Sequence, residues 1–530
     1  MRLTLRLKPY IQPFERTLAL AEVKRLTGRS PRPCTLDEPN TDYHVEFDHP
    51  DVLVRRLAYW EAVTASRTHL TTQVLREATV NVVRNGIDLN TLRSLLPLDS
   101  DAIPPNRRCL RYGTHGLHEY RGKFFPQLVR SLLNDANVHE GATVADPMAG
   151  SGTTAVESVL LGCNVLGLDL NPLSAFISRT KCSALFLTPK TLEATYSRLR
   201  DDLLSGSRAA PSFTSHFASL PEEDQEYLSR WFAPQVLSDL DTVIAAINRH
   251  SKGEIRNLFT VVLSNILRRV SWQKNDDLRV RKEVVLDREI DPVREFLEEA
   301  ARSVRLVLAF LYQSRKPTGT YRIDVGDARA ATRVWKDVIG KVDVVITSPP
   351  YATALPYLDT DRLSLSYLGL LTRPEHRRSD EHMIGNREIT ERQRRVYLDE
   401  LAAKRHVLPA AVISLIQKID GLNHGGDVGF RRKNVSALLT KYFVDMRQVL
   451  HEIHRLMRPR GSAYIVIGNN HTVAGGEKVA IDTPQLMAEV ASKVGLEVTS
   501  TISMEMLVSR DIFRNNAGSS EVILRLRRRH

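Results

Sequence analysis

The sequence predicts an α/β protein whose largely parallel sheet is interrupted by helical insertions and preceded by a small α+β domain. Three observations predict it. Residues 141–179 read as strand, glycine-rich turn, helix, strand and turn, which is one βαβ unit. Strand signals return at Tyr321-Arg322-Ile323 and at Val342-Asp343-Val344-Val345-Ile346, the latter almost continuously apolar, as in a strand covered on both faces. Between these blocks, from about Leu187 to Gly319, apolar residues recur at helical spacing, for example in Leu258-Phe259-Thr260-Val261-Val262-Leu263.

Taken in order, residues 1–105 are the α+β domain, with a helix around Leu18–Val23, a strand at Tyr43–Phe47 and more helix from Val52. Asp101-Ala102-Ile103-Pro104-Pro105-Asn106 is a helix-breaking linker that ends it. Residues 106–186 hold the first part of the α/β domain, with parallel strands expected at Ala142–Ala145 and Val165–Leu170. A helical insertion follows over 187–320, and 321–530 completes the sheet around a charged insertion at 372–434. That insertion includes Glu391-Arg392-Gln393-Arg394-Arg395 and Phe430-Arg431-Arg432-Lys433. Ala463–Ile467 and Val522–Leu526 are the last strands, with a helix from Thr483 to Val494 between them.

A chain of 530 residues has room for two or three domains. With 42% hydrophobic and 26% charged residues it has the balance of a folded globular protein rather than of a disordered or membrane-embedded one. A formal net charge of +12 favours a polyanionic partner, nucleic acid first, although charge alone does not decide this. Cys34, Cys109, Cys163 and Cys182 form no CxxC pair, so neither a zinc site nor a disulfide framework is indicated and a reducing cytoplasm fits. Met1-Arg2-Leu3-Thr4-Leu5 lacks the apolar core of a signal peptide, and apolar runs such as Val159-Leu160-Leu161 are soon broken by Gly162, so no membrane span is expected.

Asp146-Pro147-Met148-Ala149-Gly150-Ser151-Gly152-Thr153 follows a strand and opens a helix, so its glycines allow close backbone approach to a ligand at a helix N-terminus. It fits neither the Walker pattern nor a strict GxGxxG, and alone such a turn is weak. Asp169 ends the next strand, beside that turn, where a carboxylate can accept both hydroxyl hydrogens of a ribose. Asp327, after another strand, is placed either to accept from an adenine amino group or to cap a helix.

These residues resemble the DNA amino-methyltransferases that act on cytosine N4 or adenine N6. Asp146 to Thr153 is similar to their DPFxGSGT motif, with Met148 in place of the usual Phe. Asp169 looks like their ribose-binding acid, and Asp327 like the acid near the cofactor adenine. His118-Glu119-Tyr120-Arg121-Gly122-Lys123-Phe124-Phe125-Pro126 is similar to HxYxxKFxP, the segment that closes over the methionine part of the cofactor, with Lys123 and Phe124 at its centre. The resemblance implies a Rossmann-like fold, S-adenosylmethionine as cofactor, DNA as partner and a restriction endonuclease as companion activity, in the cytoplasm at the nucleoid. His115 and His118 invite a metal reading, but no carboxylate or cysteine lies at ligand spacing, so no metal is expected and His118 is read as orienting its segment.

Thr347-Ser348-Pro349-Pro350-Tyr351 ends a buried strand and carries the chemistry. An exocyclic amino nitrogen is a poor nucleophile because its lone pair is delocalised into the ring, so methylation needs acceptors that hold its hydrogens. Ser348 Oγ and the Pro349 carbonyl can supply them, Pro349 and Pro350 stiffen the turn, and Tyr351 offers a face to an extruded base. No cysteine stands near, which argues against carbon-5 methylation, a reaction that needs covalent attack on the ring. In the family, SPPY goes preferentially with cytosine N4, and NPPY or DPPY with adenine N6.

Target readout is expected from the helical insertion, where Arg268, Arg269, Lys274 and Arg281 can neutralise phosphates while Trp272 approaches a base, or from the charged insertion. An RNA methyltransferase is the rival within the same chemistry. Leu18–Lys24 and Leu53–Tyr59 look similar to the N-terminal domain of archaeal tRNA guanine-N2 methyltransferases, which typically carry DPPY. A catalytically silent nucleic-acid-binding protein is the rival from another class, and intact Asp146, Asp169, Ser348 and Tyr351 argue against it.

Overall fold

The computed structural model describes residues 1–529 apart from 36–40, 85, 121–123, 206–214, 275–280, 285–289, 353–356, 387–388, 404–406, 425–428 and 506–519. At the N-terminus, β1 (Arg2–Leu7), β2 (Arg32–Pro33), β3 (Asp42–Glu46), β4 (Trp60–Thr64) and β5 (Thr68–Leu70) form an antiparallel sheet in the order β2-β3-β1-β4-β5. Period-two alternation buries Leu3, Leu5 and Leu7 in one core with Leu18, Ala19 and Val23 of the helix Pro13–Thr27. The helix expected from Val52 comes in pieces, Pro50–Arg56 and, beyond the β4–β5 hairpin that interrupts it, Thr72–Arg84 and Leu89–Ser94. Trp60 fixes that change, because its indole N–H donates to the Ala19 carbonyl at 3.1 Å and pins the strand to the helix.

The main sheet comprises β6 (Thr143–Asp146), β7 (Asn164–Asp169), β8 (Thr320–Val325), β9 (Val342–Thr347), β10 (Met457–Gly468), β13 (Leu496–Glu505) and β14 (Ser520–Arg528). A hairpin of β11 (Asn470–Ala474) and β12 (Glu477–Ile481) leaves its end. The strand order is β13-β14-β10-β9-β6-β7-β8, with β6 to β10 paired in parallel and β14 antiparallel to both neighbours. This is the Rossmann-like arrangement expected. Strand alternation divides the interior: Val144, Val344, Ile346 and Tyr464 share a core with the N-terminal sheet. Ala145, Val345, Ala463 and Ile465 share another with the helices Val435–Leu456 and Thr483–Lys493. The last two strands expected are β10 and β14, whereas β13 escapes the sequence reading because alternate positions of this edge strand are polar and exposed.

Between β7 and β8, after the helix Pro172–Ala184, the described residues form five more helices, Pro189–Leu204, Glu222–Ser229, Pro234–His250, Gly253–Leu267 and Pro292–Gln313, which bury a core around Leu240, Phe259, Phe296 and Val304. The charged insertion contains the helices Arg373–His382, Glu391–Ala403, Ala410–Asn423 and Phe430–Lys433. Among the described residues no helix is long and apolar enough to cross a membrane.

The N-terminal sheet is joined to the main one by buried charge as well as by apolar contact. Glu157, on the helix Thr153–Leu160, is fully buried and accepts from Arg130 Nε (2.9 Å) and Tyr112 Oη (2.8 Å), with His115 Nε2 at 2.9 Å. Tyr112 Oη in turn accepts from Gln73, whose amide also donates to Glu77, the partner of Lys8 on the N-terminal side. Burial opposes ionisation of Glu157, but the neighbouring Arg130 and His115 outweigh it and hold the carboxyl down at about 2. Its stabilising contribution is therefore full above the ordinary value of 4.5 and lost as the pH falls toward 2. Arg130→Met leaves that carboxylate buried without its charge partner and should cost about 3–5 kcal/mol in urea unfolding. A loss below about 1 kcal/mol would show that the pair is not structural.

Candidate active site

β6 and β9 are neighbours in the sheet, but the chain after β6 passes outward through β7 to β8, and the chain after β9 passes the other way to β10. The connections therefore diverge at the carboxyl ends of β6 and β9 and leave a crevice there, the usual ligand position in such sheets. The two sequence motifs are the segments that follow those ends, Pro147 onward after Asp146 and Ser348 onward after Thr347. A cavity of about 410 Å³ opens between them. Its lining takes in Phe124, Pro147, Met148, Gly150, Asp169 and Asp327 from the cofactor motifs, and Ser348, Pro349, Pro350 and Tyr351 from the other.

Asp146, Ala149, Gly152 and Thr153 do not line it; they hold the turn from behind. Asp146 is buried and accepts from the Met148 N–H at 3.2 Å. Burial pushes its carboxyl up to about 6, against the Thr347 and Thr154 hydroxyls and that N–H. The Ala149 N–H donates to the Leu168 carbonyl at 2.9 Å, which ties the turn to β7. Gly150 and Gly152 both have left-handed backbone (φ +50° and +81°), and a Cβ at Gly152 would stand 2.2 Å from Ser178 Oγ. Gly152 caps the helix that begins at Thr153.

Asp169 accepts one backbone N–H on each oxygen, from Gly150 and from Asn171, both at 2.8 Å. Burial pushes its carboxyl up to about 6 against those two donors. Asp327 does what its capping alternative predicted: it accepts from the Arg329 N–H at 2.9 Å, at the start of the short turn Ala328–Ala330. It is also paired with the Arg329 guanidinium, which outweighs its burial and holds the carboxyl below the usual range. Arg329 reaches on to Asp445 (2.7 Å) and to the His382 carbonyl (2.9 Å), so it fastens the wall formed by His382, Met383 and Ile384 of the charged insertion to the cavity edge.

Several lining residues were not among those singled out in the sequence. Tyr120 lies against Gly150, with its hydroxyl 2.9 Å from Ser174 Oγ, and Glu521 accepts the hydroxyl hydrogen of Tyr351. Tyr120 was legible as part of the HxYxxKFxP-like segment, while Glu521 stands at the start of β14 with no motif around it. Lys123 lies outside the described residues. His115 has a carboxylate after all, Glu157, brought from 42 residues away and shared with Tyr112 and Arg130; His118 lies 3.2 Å from Ser264 Oγ.

The residues nominated for target contact do not reach the cavity lining. Arg269 is paired with Glu299 at 3.2 Å and Glu295 at 3.6 Å, and Arg268 donates to the Lys274 carbonyl at 3.1 Å. Trp272 is half-buried with Lys282 Nζ 4.9 Å from its ring centre, and beside the antiparallel bridge of Gln273 and Lys282 the Lys274 N–H donates to the Arg281 carbonyl at 2.9 Å.

A nucleoside-sized cavity at the switch point, a glycine turn and an acid at the next strand end define a Rossmann-like methyltransferase, dependent on S-adenosylmethionine. In keeping with this, residues 118–190 match the family model of the UPF0020, RMKL-like, methyltransferase domain. The chain is similar to the type II methyltransferase M.MvaI of Kocuria varians, with 25% identity over 397 residues, 72% of this chain and 81% of that protein. It is similar to the type II methyltransferase M.BsoBI of Geobacillus stearothermophilus, with 21% identity over 438 residues, 74% of this chain and 81% of that one. A shorter match, 34% over 73 residues, joins 14% of this chain to 19% of the tRNA (guanine(10)-N2)-dimethyltransferase of Methanocaldococcus jannaschii.

Gly152→Ala should weaken S-adenosylmethionine binding by about tenfold or more in calorimetry, because the new methyl group collides with Ser178 and displaces the turn. Gly141→Ala is the control: it has the same φ of +81° but open space around its Cβ, so it should cost about 1–2 kcal/mol of stability and leave affinity unchanged. Affinity should also fall as the pH drops through about 6, because protonated Asp169 loses acceptor capacity toward a ribose. Asp169→Asn should bind weakly and show a smaller transition, the remainder belonging to Asp146, which titrates in the same range behind the turn.

Proposed function

We propose that the chain methylates an exocyclic amino group of DNA, N4 of cytosine, on a base extruded from the duplex. The observation that carries this reading is that Ser348, Pro349, Pro350 and Tyr351 face the same cavity as Asp169. Cofactor and base can thus meet at one wall. When bound, S-adenosylmethionine supplies an electrophilic methyl group. Asp169 would hold its ribose, Met148 and the Gly150 turn its methionine end, and Asp327 with Arg329 would edge its adenine.

The residues of the second motif do the rest. Ser348 Oγ and the Pro349 carbonyl accept the amino hydrogens and so favour a pyramidal nitrogen with its lone pair free. Tyr351 stacks on the extruded ring. The short neutral Ser348 suits a pyrimidine. Similarity to type II methyltransferases over most of both chains supports DNA, whereas the match to the tRNA enzyme is limited to 73 residues. Lys274 and Arg281 are retained as phosphate contacts. Arg268, Arg269 and Trp272 already serve the fold of the insertion and contribute by shaping that surface. A companion restriction endonuclease and a location at the nucleoid accompany this reading.

Tritiated methyl transfer to unmethylated DNA and to total RNA, followed by nucleoside analysis, tests it. N4-methylcytosine in DNA is the expected product; N6-methyladenine, or label in RNA alone, would overturn it. Ser348→Ala should lower kcat by about 10²–10³ with cofactor affinity unchanged; undiminished turnover would remove Ser348 from the chemistry.

A further inference from the structure

Tyr351 is held from two sides by a single pair of strands. Its hydroxyl donates to Glu521 Oε1, at the start of β14. Its ring lies against Gly468, the last residue of β10, so closely that a Cβ there would stand 2.8 Å from Tyr351 Cε2 and 3.2 Å from Cζ. Gly468 and Glu521 are directly opposite one another in the antiparallel register of β10 and β14. The ladder therefore fixes the contact along the Cδ2–Cε2–Cζ side of the ring relative to the anchor on its hydroxyl.

Neither residue is what a strand needs for its own stability. Glycine in a strand gives up packing area and chain stiffness, and usually marks the close approach of another group. A largely buried carboxyl is costly, and burial raises that of Glu521, opposed by the Tyr351 hydroxyl. Strand residues such as Val or Thr would serve the sheet better at both positions. The two unfavourable choices converge on one cavity-lining ring, and Glu521 lines the same cavity. A Tyr side chain free to turn about its two torsions would present its face in many directions; one fixed at edge and hydroxyl presents a single plane.

We propose that Gly468 and Glu521 form a seat that sets the plane of Tyr351 as the stacking platform for the target base, with Glu521 a positioning residue for methyl transfer. This rests on the reading of Tyr351 given under the proposed function. It differs from a general structural role because Glu521 should act only through the Tyr351 hydroxyl.

A double-mutant cycle on the full-length chain tests it, with methyl transfer to unmethylated genomic DNA measured for wild type, Glu521→Ala, Tyr351→Phe and the pair. Each single change should lower kcat about ten- to a hundredfold, the loss expected for a charge-assisted hydrogen bond, and the double variant should be no slower than the slower single one. Calorimetry should show S-adenosylmethionine affinity unchanged in all of them. Glu521→Gln, whose amide oxygen still accepts, should recover part of the rate, and Gly468→Ala should slow transfer with Glu521 intact. If Glu521→Ala does not fold, Glu521→Gln and Tyr351→Phe make the second cycle. Losses that multiply in the double variant, or a cofactor affinity that falls with the rate, would overturn the seat. Should the wild-type chain label no DNA, with or without label in RNA, the proposed function falls and the seat with it; if it labels DNA and the losses multiply, the seat alone falls.

Discussion

The carboxyl ends of β6 and β9 lie side by side in the sheet while the chain leaves them in opposite directions. Backbone covering this edge from one side cannot also cover it from the other, so the crevice is a consequence of strand order rather than of any side chain. What the side chains do is stiffen its two lips. Asp146 and the Ala149 N–H tie one lip to β6 and β7. On the other, Pro349 and Pro350 remove backbone freedom, and Gly468 and Glu521 hold Tyr351. Both lips are supported by strands, so the distance between the glycine turn and Ser348 is set by the sheet.

That sheet is kept in place by the N-terminal sheet, which shares its core. The link is polar at its centre: Glu157 gathers Arg130, His115 and Tyr112, and Gln73 passes the chain of hydrogen bonds to Glu77 and Lys8. Such a network is tolerable in the interior only because each charge meets an opposite one. Glu157 lies on the helix capped by Gly152, and Arg130 on the helix that follows the HxYxxKFxP-like segment. The network thus fixes the helix that follows the glycine turn against the helix that follows the HxYxxKFxP-like segment, besides joining the two sheets.

The parts of the site legible in the sequence are those where one short segment carries the whole function. Residues 146–153 and 348–351 could be read because turn, glycines and prolines are adjacent, and a strand precedes each. Asp169 was legible from its place at a strand end. Asp327 was legible as a position but with two roles open, and the partner that engages it, Arg329, also reaches Asp445, 116 residues away. Residues that act across strands left no such trace. Glu521 is 170 residues from Tyr351, in a strand whose pattern speaks only of burial and alternation. The basic run near residue 270 shows the same limit: the partners of Arg269, Glu295 and Glu299 on the next helix, are invisible in the run itself.

By itself the sequence marked the class of sheet, the glycine turn, the acid at the next strand end and the Ser348–Tyr351 motif, because each is a local pattern of backbone conformation and chemistry within a few residues. Tertiary structure alone decided that the two motifs face one cavity and that β14 turns back to supply Glu521. It also decided that the N-terminal sheet is fused to the catalytic one. These depend on strand order and on charge pairing between distant segments, and neither property is carried by the residues of any single stretch of chain.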